Sequence, residues 1–104
     1  MENIITKVED PETTSFEGWL DKGRKYWKAR PERVIGCNML YVVDMSNTVR
    51  AAGQVEGLLK DLDQGSGRVE ILVRPQPDNE WIGRTIVRST SRNPVTYMSE
   101  IKEA

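Results

Sequence analysis

A chain of 104 residues with a formal net charge of −1 has room for one domain and no whole-molecule attraction to nucleic acid or anionic lipid. It contains no histidine and one cysteine, Cys37, so it lacks the commonest general base near neutral pH and cannot form a thiolate metal cluster. We expect a cytoplasmic, disulfide-free protein that is not an enzyme, does not bind a membrane and needs no cofactor.

The N-terminal residues 1 to 13 are mostly polar and acidic, and Pro11 interrupts regular structure there. They are predicted to form a partly flexible arm, with an edge strand through Ile4 and Ile5 as the alternative. Residues 14 to 104 are expected to form a single α+β domain.

A capping box from Thr14 to Glu17 precedes an apolar stripe and predicts an amphipathic helix that ends at Arg30, before Pro31. Basic side chains are concentrated on the second half of this helix and just after it. They are candidates for binding nucleic acid or a phosphorylated ligand: Arg24, Lys25, Lys28, Arg30 and Arg33. A merely solvated helix face is the other interpretation, because the helix dipole favours lysine near a C-terminus.

The run VIGCNMLYVV, residues 34 to 43, is too short for a membrane span and predicts a central strand covered on both faces. Residues 46 to 62 repeat apolar side chains at steps of three and four and predict a helix. Gly53 and Gly57 would lie on one face of that helix. The helix would then press closely on the sheet or meet its copy in a homodimer.

Between this strand and helix, Asp44, Ser46 and Thr48 offer one carboxylate and two hydroxyls at alternate positions. The segment resembles the first metal-ion-dependent adhesion segment of von Willebrand factor A domains, and the resemblance covers residues 38 to 74. It implies a Mg²⁺-binding domain centred on Asp44, since hard oxygen ligands suit that ion. Helix capping explains the same residues, and we assign no metal ligand to them.

Residues 68 to 74 and 80 to 89 predict a β-hairpin with a proline-marked turn, its second strand lying at an edge or under a further covering surface. The tail predicts a short helix from Asn93, with a strand through Val95, Tyr97 and Ser99 as the alternative. The order helix, strand, helix, strand, strand, helix then defines a small α+β domain. Its three-stranded mixed sheet carries the helices packed on it.

The sequence shows no catalytic constellation. Our first hypothesis is a non-enzymatic protein-interaction module, a small intracellular regulator, inhibitor or assembly subunit bound to a larger protein. The candidate partner contacts are two aromatic anchors and two arginines: Tyr26, Trp81, Arg84 and Arg88. The two arginines are equally explained as charges that protect an exposed edge. Binding of nucleic acid or a phosphorylated ligand is the first alternative, and the Mg²⁺-binding domain is the second.

Overall fold

A computed structural model describes residues 1–60, 68–88 and 92–104 and shows a mostly β protein. The described strands are β1 (Glu2–Lys7), β2 (Trp27–Lys28), β3 (Cys37–Val43), β4 (Val49–Lys60), β5 (Arg68–Pro75) and β6 (Val95–Met98). The helices are short: α1 (Phe16–Gly23) and α2 (Pro31–Ile35). The prediction of an α+β domain with a three-stranded sheet is therefore wrong. Neither described helix has the length and apolar character needed to cross a membrane.

All six strands belong to one curled, mixed sheet in the order β2-β5-β4-β3-β1-β6. Only β1 and β3 run parallel, and every other neighbouring pair is antiparallel. Strands β2 and β6 form the two edges. Strand β3 lies in the interior, as predicted, although the first residues of the predicted strand, Val34 and Ile35, belong to α2 instead.

The sheet buries a hydrophobic cluster on each face because the side chains of its interior strands alternate between the two faces. From β3, Leu40 and Val42 join the first cluster under α1 and α2, which contribute Trp19, Leu20 and Val34. The opposite face of β3 carries Met39, Tyr41 and Val43. Residues 81–86 and 98–101 cover that second cluster with apolar side chains: Trp81, Ile82, Ile86, Met98 and Ile101.

The helix predicted over residues 46 to 62 is wrong, because Val49–Lys60 forms strand β4 between β3 and β5. Ala51 and Ala52 are both fully buried, one in each cluster. Pairing with two neighbours satisfies the backbone of β4 on both sides, whereas a helix would carry two mid-helix glycines at ~1 kcal/mol each. Residues 61 and 62 of the predicted helix lie outside the described residues.

The predicted hairpin is half correct. Strand β5 exists, but the described part of residues 80 to 89 forms turns with isolated bridges from Thr85 to Thr48 and from Ile86 to Glu103. The backbone of this segment instead bonds the start of β4, where Gly83 donates to the Val49 carbonyl and Val49 donates to the Arg84 carbonyl. Position 89 is not among the described residues.

Both ends of the sequence enter the sheet. The tail forms β6 rather than the predicted helix, so the strand alternative is correct for Val95 and Tyr97, whereas Ser99 lies just beyond the strand. Residues 2 to 7 of the predicted N-terminal arm form β1, an interior strand between β3 and β6 in which Ile4 and Ile5 are fully buried.

The first helix is shorter than predicted and begins one residue later than the capping box suggested. Ser15 is its N-cap, and the Ser15 hydroxyl accepts the Gly18 amide at 3.1 Å. The helix ends at Gly23, because the Arg24 carbonyl accepts the Ile71 amide of β5 at 2.6 Å and the chain continues as β2. Pro31 opens α2 at its first turn, where a missing N–H costs nothing.

Candidate functional site

An open cleft of about 550 Å³ lies between the two edge strands of the sheet. One wall comes from Lys28 of β2 with the Ala29 and Arg30 that follow it, and Arg33 of α2 lies between the walls. The other wall comes from β6 and the residue group before it: Asn93, Val95 and Tyr97. Because the sheet curls, strands at opposite ends of the sheet order border the same opening.

The three basic residues of the cleft have different surroundings. Arg33 donates from Nε and Nη2 to the two carboxylate oxygens of Glu2, both at 3.1 Å, and its guanidinium lies 3.9 Å from the centroid of the Tyr97 ring. Lys28 and Arg30 are exposed, and neither forms an ion pair within the described part of the chain. The cleft therefore combines a fixed, neutralised Arg33–Glu2 pair with two unpaired cations.

Arg33 and three groups near it, Glu2, Cys37 and Tyr97, have shifted pKa values. The hydrogen bond from Arg33 lowers the pKa of Glu2, and the same bond raises the pKa of Arg33. Burial raises the pKa of the Tyr97 phenol, and burial likewise raises the pKa of the Cys37 thiol, which donates to the Arg33 carbonyl at 3.3 Å. The lowered pKa of Glu2 and the raised pKa of Arg33 both favour the ionised pair.

Strand β6 contributes an open backbone edge to the cleft. In an antiparallel ladder, residues alternate between those that bond the neighbour and those that point away from it. Lys7 N–H donates to the Pro94 carbonyl at 2.9 Å, and Ile5 pairs with Thr96 in the same register. The Tyr97 N–H and C=O therefore point away from β1, on a side where no described strand pairs with β6.

Two of the predicted anion-binding residues, Arg24 and Lys25, form ion pairs outside the cleft. Arg24 donates to Asp21 and Glu70, both at 2.8 Å, and Lys25 approaches Asp21 at 3.2 Å. Burial disfavours the charge on Arg24, but the hydrogen bonds to Glu70 and Asp21 outweigh it and raise the pKa of Arg24. The cleft thus brings together Lys28, Arg30 and Arg33 but neither Arg24 nor Lys25.

The four predicted partner contacts do not form one surface. Tyr26 lies beside β2 and is 53% exposed, whereas Trp81 packs against the second cluster. The Arg84 guanidinium lies 5.5 Å from the centroid of the Trp81 ring, and Arg84 Nη1 is 3.8 Å from a carboxylate oxygen of Glu103. Arg88 donates to the Asn93 carbonyl. Only Tyr26 presents a large exposed aromatic ring.

Asp44 organises the turn between β3 and β4. Its Oδ1 accepts the amides of Ser46 and Thr48 at 2.8 and 3.0 Å, and its Oδ2 accepts Arg50 Nε at 2.9 Å. The adhesion-segment resemblance implies a helix after Thr48, but β4 follows instead, so the resemblance does not extend to the fold. Within the described ranges, no three side chains of His, Cys, Asp or Glu are grouped as metal ligands.

The homodimer predicted through a Gly53 and Gly57 helix face loses its basis, because both glycines lie on β4. A Cβ at Gly53 would lie 2.9 Å from Val73 Cβ, so this glycine permits close packing against β5 instead.

Sequence reasoning missed Tyr97 and Asn93 as cleft residues. The sequence feature that could have identified this part of the cleft is the alternation of Val95 and Tyr97, which places both side chains on one face of a strand. Comparison of the chain with protein-family models, curated proteins and solved structures found no match.

Proposed function

We propose that the protein is a non-enzymatic binding module whose cleft takes an extended acidic segment of a larger partner protein. One observation carries the proposal: the unpaired cations Lys28 and Arg30 share a cleft with the open backbone edge at Tyr97. An open strand edge pairs with the backbone of an added strand, and neighbouring side-chain groups then select the added sequence. Carboxylates suit the two cations.

An acidic peptide fits this cleft better than nucleic acid does. Nucleic-acid binding depends on neutralising many phosphates, and among the described residues the cleft offers two cations without a carboxylate partner. Base stacking needs an accessible aromatic face, and the Arg33 guanidinium already lies over the Tyr97 ring. The outward-facing N–H and C=O of Tyr97, in contrast, match the backbone of a polypeptide directly.

The expected affinity is modest. Each added main-chain hydrogen bond contributes ~0.5–1.5 kcal/mol net, and each exposed ion pair contributes ~0–1 kcal/mol. A few such contacts, after the cost of ordering a flexible peptide, correspond to a Kd between ~1 μM and ~1 mM.

A direct test uses a fluorescently labelled peptide of eight alternating Glu and Val residues, with binding followed by fluorescence anisotropy. We expect saturable binding that falls at least ~10-fold in the double variant Lys28→Glu, Arg30→Glu. The matched control is Lys22→Glu, Lys102→Glu, which changes two exposed lysines outside the cleft by the same total charge. A peptide with proline at every second position lacks the N–H groups for strand pairing and should bind more weakly.

Equal affinity of the two double variants for the acidic peptide would contradict the proposal. A labelled oligodeoxythymidine serves as the competing probe. If it binds more tightly than the peptide, and if added salt weakens it steeply, then nucleic-acid binding replaces peptide binding as the function of this cleft.

A further inference from the structure

A smaller cavity of about 260 Å³ lies apart from the peptide cleft, beside the segment that precedes β6. Its lining comes from three parts of the chain: Lys7 at the end of β1, Met45 in the β3–β4 turn, and the group Arg88, Arg92 and Pro94 before β6. None of the described residues that line it also lines the peptide cleft. We infer that this cavity binds a phosphate-type oxyanion.

The charge of the cavity is one-sided. Among the described residues that line it, Lys7, Arg88 and Arg92 are cationic and none is acidic. Across residues 1–60, 68–88 and 92–104, none of Lys7, Arg88 and Arg92 forms an ion pair with a carboxylate. The acid next to Met45 in the chain, Asp44, is already bonded to Arg50 and to two amides. A bound anion would relieve the mutual repulsion of the three cations.

Arg88 is held in a way that leaves a donor available. One of its terminal nitrogens donates to the Asn93 carbonyl, which fixes the guanidinium. Its Nε is buried and has no acceptor among the described residues. A buried N–H without an acceptor is costly, more so on a charged group, and the desolvation that causes this cost also lowers the pKa of Arg88. An oxyanion supplies both the missing acceptor and the missing charge.

The set of cations favours phosphate over a single carboxylate. A phosphate monoester carries about −1.5 to −2 charge at neutral pH and three acceptor oxygens, which suits two guanidinium groups and one ammonium. At ~30 Å³ for each water molecule, the cavity has room for such an ion with some of its hydration shell.

The test is thermal unfolding of the full chain in sodium phosphate and in sodium chloride at equal ionic strength and pH 7. A ligand that binds only the folded state raises Tm, and we expect saturating phosphate to raise it by at least ~4 °C beyond chloride. This increment should disappear in Arg88→Gln. It should fall by at least half in Arg92→Ala, which changes an exposed residue and keeps the readout valid if Arg88→Gln does not fold. Arg74→Gln, which removes an exposed arginine elsewhere, should keep the full increment.

An equal rise in Tm with chloride would overturn the inference, because it would show general charge screening. An unchanged phosphate increment in both Arg92→Ala and Lys7→Ala would also overturn it. Phosphoserine distinguishes two sources of the group: a lower midpoint concentration than for inorganic phosphate assigns the site to a phosphorylated side chain, and an equal midpoint assigns it to the free ion. Both of these results support the site, and neither depends on the peptide cleft.

Discussion

The Asp44 carboxylate and the Arg50 guanidinium, 2.9 Å apart, join the last residue before the β3–β4 turn to the strand that follows it. The Asp44 side chain is only 11% exposed, and its other oxygen accepts the amides of Ser46 and Thr48. Burial opposes ionisation of Asp44, but the hydrogen bonds from Thr48, Arg50 and Ser46 outweigh burial and lower its pKa. The ionised carboxylate is therefore part of the folded state.

Replacing this carboxylate should weaken the fold in a pH-dependent way. We expect Asp44→Asn to lower the free energy of unfolding by ~1–3 kcal/mol at pH 7, because buried donors lose a charged acceptor. A depressed folded-state pKa contributes stability above the unfolded value of ~3.9, and this contribution is lost as pH falls through the folded-state value. The difference between wild type and variant should therefore shrink below pH ~4.

Urea denaturation between pH 7 and pH 3 measures this difference. Asp78→Asn, in the exposed turn after β5, is the control and should leave stability within ~0.5 kcal/mol. A gap between wild type and Asp44→Asn that stays constant over the whole pH range would contradict the assigned role of the carboxylate.

Alanine substitutions at Gly53 and Gly57 should distinguish strand β4 from the helix that the sequence predicted. A Cβ at Gly53 would lie 2.9 Å from Val73 Cβ and 3.1 Å from the Arg74 carbonyl oxygen, so Gly53→Ala should destabilise the protein by ~1–3 kcal/mol. At Gly57 the nearest atom is Leu72 Cδ1 at 3.9 Å, and Gly57→Ala should change stability by less than ~1 kcal/mol. In a helix, both substitutions would stabilise by up to ~1 kcal/mol. Chemical denaturation of the two variants decides between these outcomes.

Trp81 should prove to be a structural residue whether or not it also contacts a partner. It packs against the second cluster, so Trp81→Ala should lower the free energy of unfolding by ~2–3 kcal/mol, somewhat less than for a fully buried tryptophan. Tyr26→Ala removes a largely exposed ring and should cost less than ~1 kcal/mol. Thermal denaturation of both variants tests the contrast, and similar losses for the two would argue against it.

Residues at the N-terminus should be essential to stability. Ile5 is fully buried in the second cluster, and Ile5→Ala should destabilise the protein by ~2–5 kcal/mol. Met1→Ala is the comparison, because Met1 is 89% exposed and its removal should have little effect. If urea denaturation found Ile5→Ala as mild as Met1→Ala, residues 2 to 7 would behave as the flexible arm rather than as β1.

The sequence predicted β3 correctly because a short run of apolar residues on both faces fits few other structures. The same reasoning failed for β4, because the buried Ala52 and the bulge between Val55 and Gly57 interrupt the period of two in its burial pattern. Ala51 and Ala52 are buried on opposite faces, and their small size also suits a helix. Pairing with β3 and β5 stabilises this segment as a strand, and local periodicity does not encode such pairing.

Of the candidate cleft, the sequence predicted the basic side chains but not the residues that surround them. Lys28, Arg30 and Arg33 were predicted from the local concentration of basic residues, but the fold determines that Arg33 is the one with a carboxylate partner among the described residues. Arg33 pairs with Glu2, 31 positions earlier in the chain, and stacks on Tyr97 of the last described strand. Such contacts depend on the order of strands in the sheet, which the sequence pattern does not specify.

The place of β1 between β3 and β6 has a consequence for how the chain is synthesised. Asn3 and Met98, which pair across β1 and β6, are 95 positions apart in the chain. At a ribosomal rate of ~5–20 residues per second, β1 waits roughly 5–20 s for its second neighbour. During that time a nascent chain exposes an unpaired strand edge beside Ile4 and Ile5. Productive folding therefore depends on keeping this edge from pairing with other chains until β6 has left the ribosome.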